Sequence, residues 1–362
     1  MSRRVAVVAA LILCGIAVAS TFARGGARPA AYTIHRLVSD QGIRASAGDR
    51  RLVNAWGLAA SPTGPWWVSN EASASSTLYD GRGRKQSLTV SVPGGPTGVV
   101  FYGGKGFRIT AGGRSDPARF VYACEDGKLR AWTPTVPTAW STQAVVVADA
   151  AGEAAVFRGI AIAGEHIYAT DFHNARVDMF DTRWRRVSAA GTFVDHSIPA
   201  WYAPFGIQAI GNRIFVTYVG RAPVNGNDDP TGGYADEFDL AGKLVARVAR
   251  KGKLNAPWGM ALAPRTFGRF GGDLLVGNFG DGRINAYRRA GAAWRHDGTL
   301  ANAHGVPLHV NGLWGLAFGN GGTAGSPGTL FFTSGPHDWR GVTELGVHGL
   351  VGSITLAGRA SS

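Results

Sequence analysis

The 362-residue chain predicts an all-β fold: a six-bladed β-propeller of four-stranded blades, closed by an N-terminal strand. Three observations carry that expectation. One phrase recurs, as Asn54-Ala55-Trp56-Gly57-Leu58-Ala59-Ala60, as Asn255-Ala256-Pro257-Trp258-Gly259-Met260-Ala261-Leu262 and as Asn311-Gly312-Leu313-Trp314-Gly315-Leu316-Ala317-Phe318. Looser copies stand at 96–101, 157–162 and 203–208. The six lie roughly 40 to 60 residues apart, the range in which repeats build propellers or solenoids. Second, the 53 glycines far exceed the ordinary usage of about 7%, and they sit mostly at turns between short apolar runs. Third, no amphipathic helical period persists beyond the N-terminus, so the remaining elements read as short strands.

The first segment is of another kind. Arg3 and Arg4 precede an uncharged apolar run over 5–19, and small residues follow at Ala17, Ala19 and Ala23. That order of charged, apolar and small residues predicts an export signal over 1–23, followed by a flexible leader over 24–31. A retained anchor is the other reading, because 5–23 approaches the roughly 18 apolar residues that a span needs. Cys14 follows Leu13, where a lipoprotein signal needs a small residue, so lipidation is not expected. Removing the signal leaves Cys124 alone, and the mature domain must rely on its core rather than on disulfides. In Phe120-Val121-Tyr122-Ala123-Cys124 this thiol reads as a buried, inert one.

The propeller is expected over 32–358, with a short tail at 359–362. Tyr32-Thr33-Ile34-His35-Arg36-Leu37-Val38 alternates before the first repeat, and Leu350-Val351-Gly352-Ser353-Ile354-Thr355-Leu356 ends the last. Pairing these two would close the ring and remove exposed edges. Repeat one continues through Trp66-Trp67-Val68-Ser69-Asn70 and Ser76-Thr77-Leu78-Tyr79. Repeat two carries an insertion at 112–118 before the run 119–124. Repeat three shows the unit most plainly: strands at 159–163, 166–170 and 176–180, with an outer fourth at 187–193. Repeat four carries an insertion at 219–234, and repeat five reads 273–278 and 282–287. Repeat six has the longest insertion, 335–348. All three insertions are expected between second and third strands, hence on one face, where repeat proteins commonly bind.

That face is where candidate chemistry concentrates. Trp56, Phe205, Trp258 and Trp314 should ring the channel mouth there, with His173 near, as a ligand-binding surface. The tryptophans could stack on sugars or peptides, or pack structurally. Asn70, Asp171 and Asn278 end the second strands of alternate blades, and converging hard oxygens of that kind would suit calcium. The bland reading is that such polar tips bond loop backbone. His173, His309 and His337, with His304 and His348 close in sequence, could hold zinc, but no close-spaced ligand pair supports it. The acidic run Asn225-Gly226-Asn227-Asp228-Asp229 lacks the downstream glutamate of a calcium loop and reads as a surface turn. Neither a Gly-x-Ser-x-Gly elbow nor a phosphate-cradling loop occurs.

Repeat three, with Gly159-Ile160-Ala161-Ile162, Ile167-Tyr168-Ala169-Thr170-Asp171 and Arg176-Val177, resembles an NHL repeat. Three stretches are similar to a family of exported six-bladed propeller proteins of uncharacterised activity: Leu37-Val38-Ser39-Asp40-Gln41, 52–83 with Ser61-Pro62-Thr63-Gly64-Pro65, and 314–333. Members often carry a C-terminal PEP-CTERM sorting tail; this sequence has no hydrophobic, arginine-closed tail before Ser362, so that route is not expected. The resemblance implies fold and export, and no established activity.

The net charge of +13 draws such a protein towards anionic polymers and headgroups. Its basic residues are dispersed, at 82–85, 183–186 and 247–253, and no nucleic-acid recognition motif accompanies them. The leading expectation is therefore a monomeric, noncatalytic binding domain at the cell envelope or outside it. Its partner would be an envelope polymer, a glycan or a protein, with membrane contact only if the signal is retained. The rival is a lactonase-like hydrolase or lyase using calcium or zinc held at the channel mouth. A structural surface-layer role is the third reading.

Overall fold

The computed structural model describes residues 31–40, 43–221, 232–340 and 343–358, with backbone alone at 337–340 and 343–346. The export signal, most of the leader, the acidic run at 225–229 and the tail lie outside the described residues.

Six antiparallel sheets follow one another along the chain, and their innermost strands adjoin in a closed ring. The inner strands are Ala55–Ala60, Pro96–Phe101, Phe157–Ala163, Tyr202–Ile210, Pro257–Leu262 and Leu313–Phe318. These are the six copies of the recurrent phrase. Each second strand returns beside its first, as Trp66–Asn70 does against Ala55–Ala60, with a register shift across the anchor glycine. The fold is a six-bladed β-propeller.

Ring closure is as expected. Tyr32–Ser39 forms the fourth strand of the sixth blade, pairing antiparallel with Leu350–Leu356 from Tyr32↔Leu356 to Ser39↔Leu350, and the two-residue strand Ala47–Gly48 pairs parallel on its far side. The first and last strands of the propeller thus hold each other, and the blade that would have an open edge is completed.

The buried side chains fall into seven clusters, and strand alternation explains why. Successive residues point to opposite faces of a blade, so each strand feeds the two wedges flanking it. Val121 packs towards blade three while Tyr122 packs towards blade one. Phe331 and Phe332 likewise divide between blades one and five. Six clusters are wedges between neighbouring blades, and the seventh lies on the axis.

Two expectations need correction. Blade three has three strands, ending at Arg176–Phe180, and no fourth forms over 187–193. Only a bridge at Phe180↔Arg186 and the bond from Val187 N–H to the Met179 carbonyl, 2.7 Å, begin one. The Ser188 hydroxyl then accepts the Met179 N–H at 2.6 Å, taking the place of a strand carbonyl. Past the small residues Ala189, Ala190 and Gly191 the chain turns away, and buried Phe193 wedges against Tyr168 and Phe238, with centroids 5.6 and 5.4 Å apart.

The second correction concerns the insertions. Blade two's extra segment is a hairpin, Arg108–Ala111 with Arg114–Pro117, lying between its first strand and its second, Phe120–Cys124. It therefore projects from the face opposite the other two. The insertions of blades four and six do fall between second and third strands, the latter containing the hairpin His337–Arg340 with Thr343–Val347. Among the described residues no helix is long and apolar enough to cross a membrane.

Candidate functional site

The residue before each anchor glycine faces the axis. Around the ring these residues are Trp56, Thr97, Arg158, Phe205, Trp258 and Trp314. The glycines themselves are set by close approach. A Cβ on Gly57 would lie 2.7 Å from the Thr97 carbonyl oxygen, one on Gly159 3.0 Å from that of Phe205, and one on Gly315 2.8 Å from that of Trp56. On Gly206 and Gly259 it would overlap the carbonyls of Trp258 and Trp314 outright. Each inner strand thus nests against the backbone of the next blade, closer than any side chain permits.

Threonines staple the same seam, Thr170 and Thr333 from second strands and Thr97 from the inner strand of blade two. The Thr170 hydroxyl donates to the Phe205 carbonyl at 2.8 Å, and Thr97 donates to that of Phe157 at 3.0 Å. Thr333 accepts the Gly315 N–H at 2.8 Å and donates to the Trp56 carbonyl. What remains of the throat is a cavity of about 30 Å³, roughly one water's share of liquid volume.

Trp56, Phe205, Trp258 and Trp314 come together on the axis, all buried, and fill it rather than surround an opening. Trp56 and Trp314 stack with centroids 3.5 Å apart, and Trp258 meets both edge-on at 6.0 and 5.7 Å. Phe205 closes the group 5.7 Å from Trp314, and Phe279 stacks on Trp314 at 4.1 Å. Mixed stacked and edge-to-face contacts of this kind are the favoured geometries of aromatic clusters. The Trp258 indole N–H donates to the Arg158 carbonyl at 3.0 Å, and that of Trp314 to Asn54 Oδ1 at 3.3 Å.

A polar shelf covers blades one to three of this plug. Asn54 donates from Nδ2 to Glu71 at 2.7 Å, and Arg158 pairs with Glu125. The Arg158 guanidinium also sits 5.5 Å from the Trp56 ring centroid and 5.7 Å from that of Phe172, within cation–π range. Burial pushes the Glu125 carboxyl above the usual range and Glu71 adds to the rise, while Arg158 opposes both. Glu71, Glu125 and Arg158 escaped the sequence reading, although a signal existed: Arg158 stands where four other copies carry an aromatic, and the glutamates follow the ends of second strands.

The proposed metal-ligand set is dispersed into its own loops. Asn70 donates to Ser75 and Thr77, at 3.2 and 2.9 Å. Asp171 accepts the Val156 and Asn174 backbone N–H groups, both at 3.2 Å, and the Asn174 amide at 2.7 Å. Asn278 donates to the Lys253 carbonyl at 2.8 Å and to Asp281 at 2.9 Å. Asn70 and Asn278 each retain a buried Oδ1 without a hydrogen-bond partner among the described residues. No three or more His, Cys, Asp or Glu among the described residues are grouped to hold a metal ion.

The histidines do not meet as one set, and the side chain of His337 lies outside the described residues. His173 is exposed, its carbonyl accepting from Arg221 at 3.1 Å. His304 sits on an exposed turn, while His309 and His348 line a cavity beside the closing strand. Cys124 is buried and unpaired, and burial pushes its thiol up to about 12, so it is inert at neutral pH.

A cationic cleft of about 340 Å³ opens on the same face between blades four, five and six. Exposed Lys251 and Lys253 line it with Arg283. Asp281 lies only 3.8 Å from Arg283, but no described residue pairs with either lysine.

No family model matches the chain. A solved streptogramin B lyase is 10% identical with a TM-score of 0.50, the match covering 90% of this chain and 98% of that one. At that identity the likeness concerns the fold alone. Uncharacterized protein L690 of Acanthamoeba polyphaga mimivirus is 34% identical over 301 residues, 80% of this chain and 79% of that protein. Uncharacterized protein R648 of the same virus is 33% identical over 299 residues, 79% and 73% of the two chains. With identity at this level sustained over most of both partners, the chain belongs to the family of the mimivirus proteins L690 and R648.

Proposed function

We propose that this protein is a noncatalytic binding module that holds an anionic envelope polymer on the face carrying the insertions of blades four and six. The observation that carries the reading is the axial plug. Enzymes on closed barrels and rings need an open, concave mouth where polar groups converge on a substrate. Here four buried aromatics occupy that place, the Asp171 carboxylate accepts from its own loop, and the amide nitrogens of Asn70 and Asn278 donate to nearby hydroxyl, carbonyl and carboxylate oxygens. The partner's charge follows from the net +13 and from the cleft with its unpaired lysines.

The test is retention of the full chain on immobilised polygalacturonate and polyphosphate, the two arms separating carboxylate from phosphate polymers. The double variant Lys251→Ala/Lys253→Ala should lose at least about tenfold in affinity, since each charged contact is worth roughly 1 kcal/mol or more. A control on the opposite face, Arg82→Ala/Lys243→Ala, should bind as the parent does. Equal loss in both variants, or no retention by the parent on either polymer, would contradict the assignment.

A further inference from the structure

A second cavity on this face has a different character. It has a volume of about 380 Å³ and lies open beside the closing strand, next to the segment leading into blade six. Its apolar wall is formed by the partly exposed side chains of Ile34 and Ile43, backed by buried Val310, Phe332 and Leu350. Its rim carries Arg36, His309 and His348. The volume lies within the range of small-molecule pockets, which pair an apolar lining with a few placed polar groups.

The rim chemistry is one-sided. Arg36 is exposed and has no ion-pair partner among the described residues. Asp40 is engaged by His348, whose Nδ1 lies 2.9 Å from Asp40 Oδ2. That contact fixes the imidazole and leaves Nε2 for a ligand. A permanently charged guanidinium fork and two imidazoles beside an apolar wall are complementary to a molecule with an anionic head and an apolar body.

We propose that this cavity binds a small amphipathic carboxylate, its head on Arg36 and the two histidines and its hydrocarbon on Ile34 and Ile43. The proposal rests on the noncatalytic reading above and adds a second ligand class to the same face. A cation is disfavoured by Arg36. The closing strand supplies Ile34 and Arg36, and the segments flanking the strands of blade six supply His309 and His348, so an occupant bridges the closing strand and blade six and should raise the melting temperature of the ring.

The experiment uses 8-anilinonaphthalene-1-sulfonate as a fluorescent amphipathic anion, titrated into the full chain and displaced by octanoate. One saturable site is expected, weakened at least about tenfold by Arg36→Ala and more mildly by His309→Ala, both of them surface positions, with Arg82→Ala as an unchanged control. Octanoate should displace the probe and raise the melting temperature, whereas neutral octanol at equal concentration should do neither. No saturable site, unchanged affinity in Arg36→Ala, or equal displacement by octanol would overturn the proposal. Polymer retention reads Lys251 and Lys253 instead, so a failure here with retention intact removes the cavity ligand alone. Turnover of a bound ester would remove the noncatalytic reading.

Discussion

Gly206 and Gly259 show what the recurrent phrase is for. Their missing side chains admit the carbonyls of Trp258 and Trp314, so an added methyl has only backbone to displace. Gly206→Ala should cost about 1–3 kcal/mol or more by overpacking, read as a fall in the denaturant midpoint. Gly152→Ala, at a position outside the left-handed region with nothing within 4 Å of the added methyl, should be neutral or stabilise by about 0.4–1 kcal/mol. Comparable losses at both would refute the seam. A second residue-scale effect lies in blade four. Asp236 is buried, its Oδ2 lacks a hydrogen-bond partner among the described residues, and burial, reinforced by Asp195, raises its carboxyl to about 7. Since the folded pKa exceeds the unfolded one of about 3.9, this group's contribution is fully present below that value and is lost as pH rises through about 7. Asp195 runs the other way: Arg247 holds it well below the carboxylate range, and its contribution is lost as pH falls into that region. Asp236→Asn should therefore flatten the fall in stability between pH 5 and 8, measured by urea unfolding at several pH values, and gain most at pH 8. An unchanged slope would contradict the assignment. The anchor glycines were legible because repetition marks them. Glu71, Glu125 and Arg158 are marked only by their places within the repeats; their meeting joins three different blades and leaves no spacing in the chain.

At the scale of elements, alternation within short apolar runs placed almost every strand, and the closing pair of Tyr32–Ser39 with Leu350–Leu356 could be read from position alone. The outer strand of blade three could not. Its sequence after Arg186 carries a serine whose hydroxyl stands in for a ladder carbonyl, then two alanines and Gly191, residues with little to hold a pleated edge. Phe193, which seemed to end that strand, instead fills the wedge between blades three and four. The blade-two hairpin was misplaced for a related reason. Its strands Arg108–Ala111 and Arg114–Pro117 are short and mostly polar, so the second strand of the blade was counted as the third. That single miscount moved an insertion to the wrong face, and only the insertions of blades four and six share the face of the plug.

At the scale of the molecule, six wedges and one axial cluster hold the ring, and the axial cluster decides what the ring can do. The position that the sequence marks as a channel mouth is built as a core: stacked indoles above a throat of about 30 Å³. The tryptophans' placement near the axis followed from the repeat. Their mutual contact did not, since four side chains from blades one, four, five and six meet only once the ring has closed. The proposal that the channel mouth is a packed aromatic core and not a metal-dependent catalytic site is open to direct measurement. Elemental analysis of the purified full chain, before and after a chelator wash and paired with a melting curve, addresses it. The expected result is no stoichiometric calcium or zinc and a melting temperature that the wash leaves unchanged. A stoichiometric ion that Asp171→Asn abolishes, with melting lowered by the chelator, would contradict it and return the channel mouth to a catalytic role.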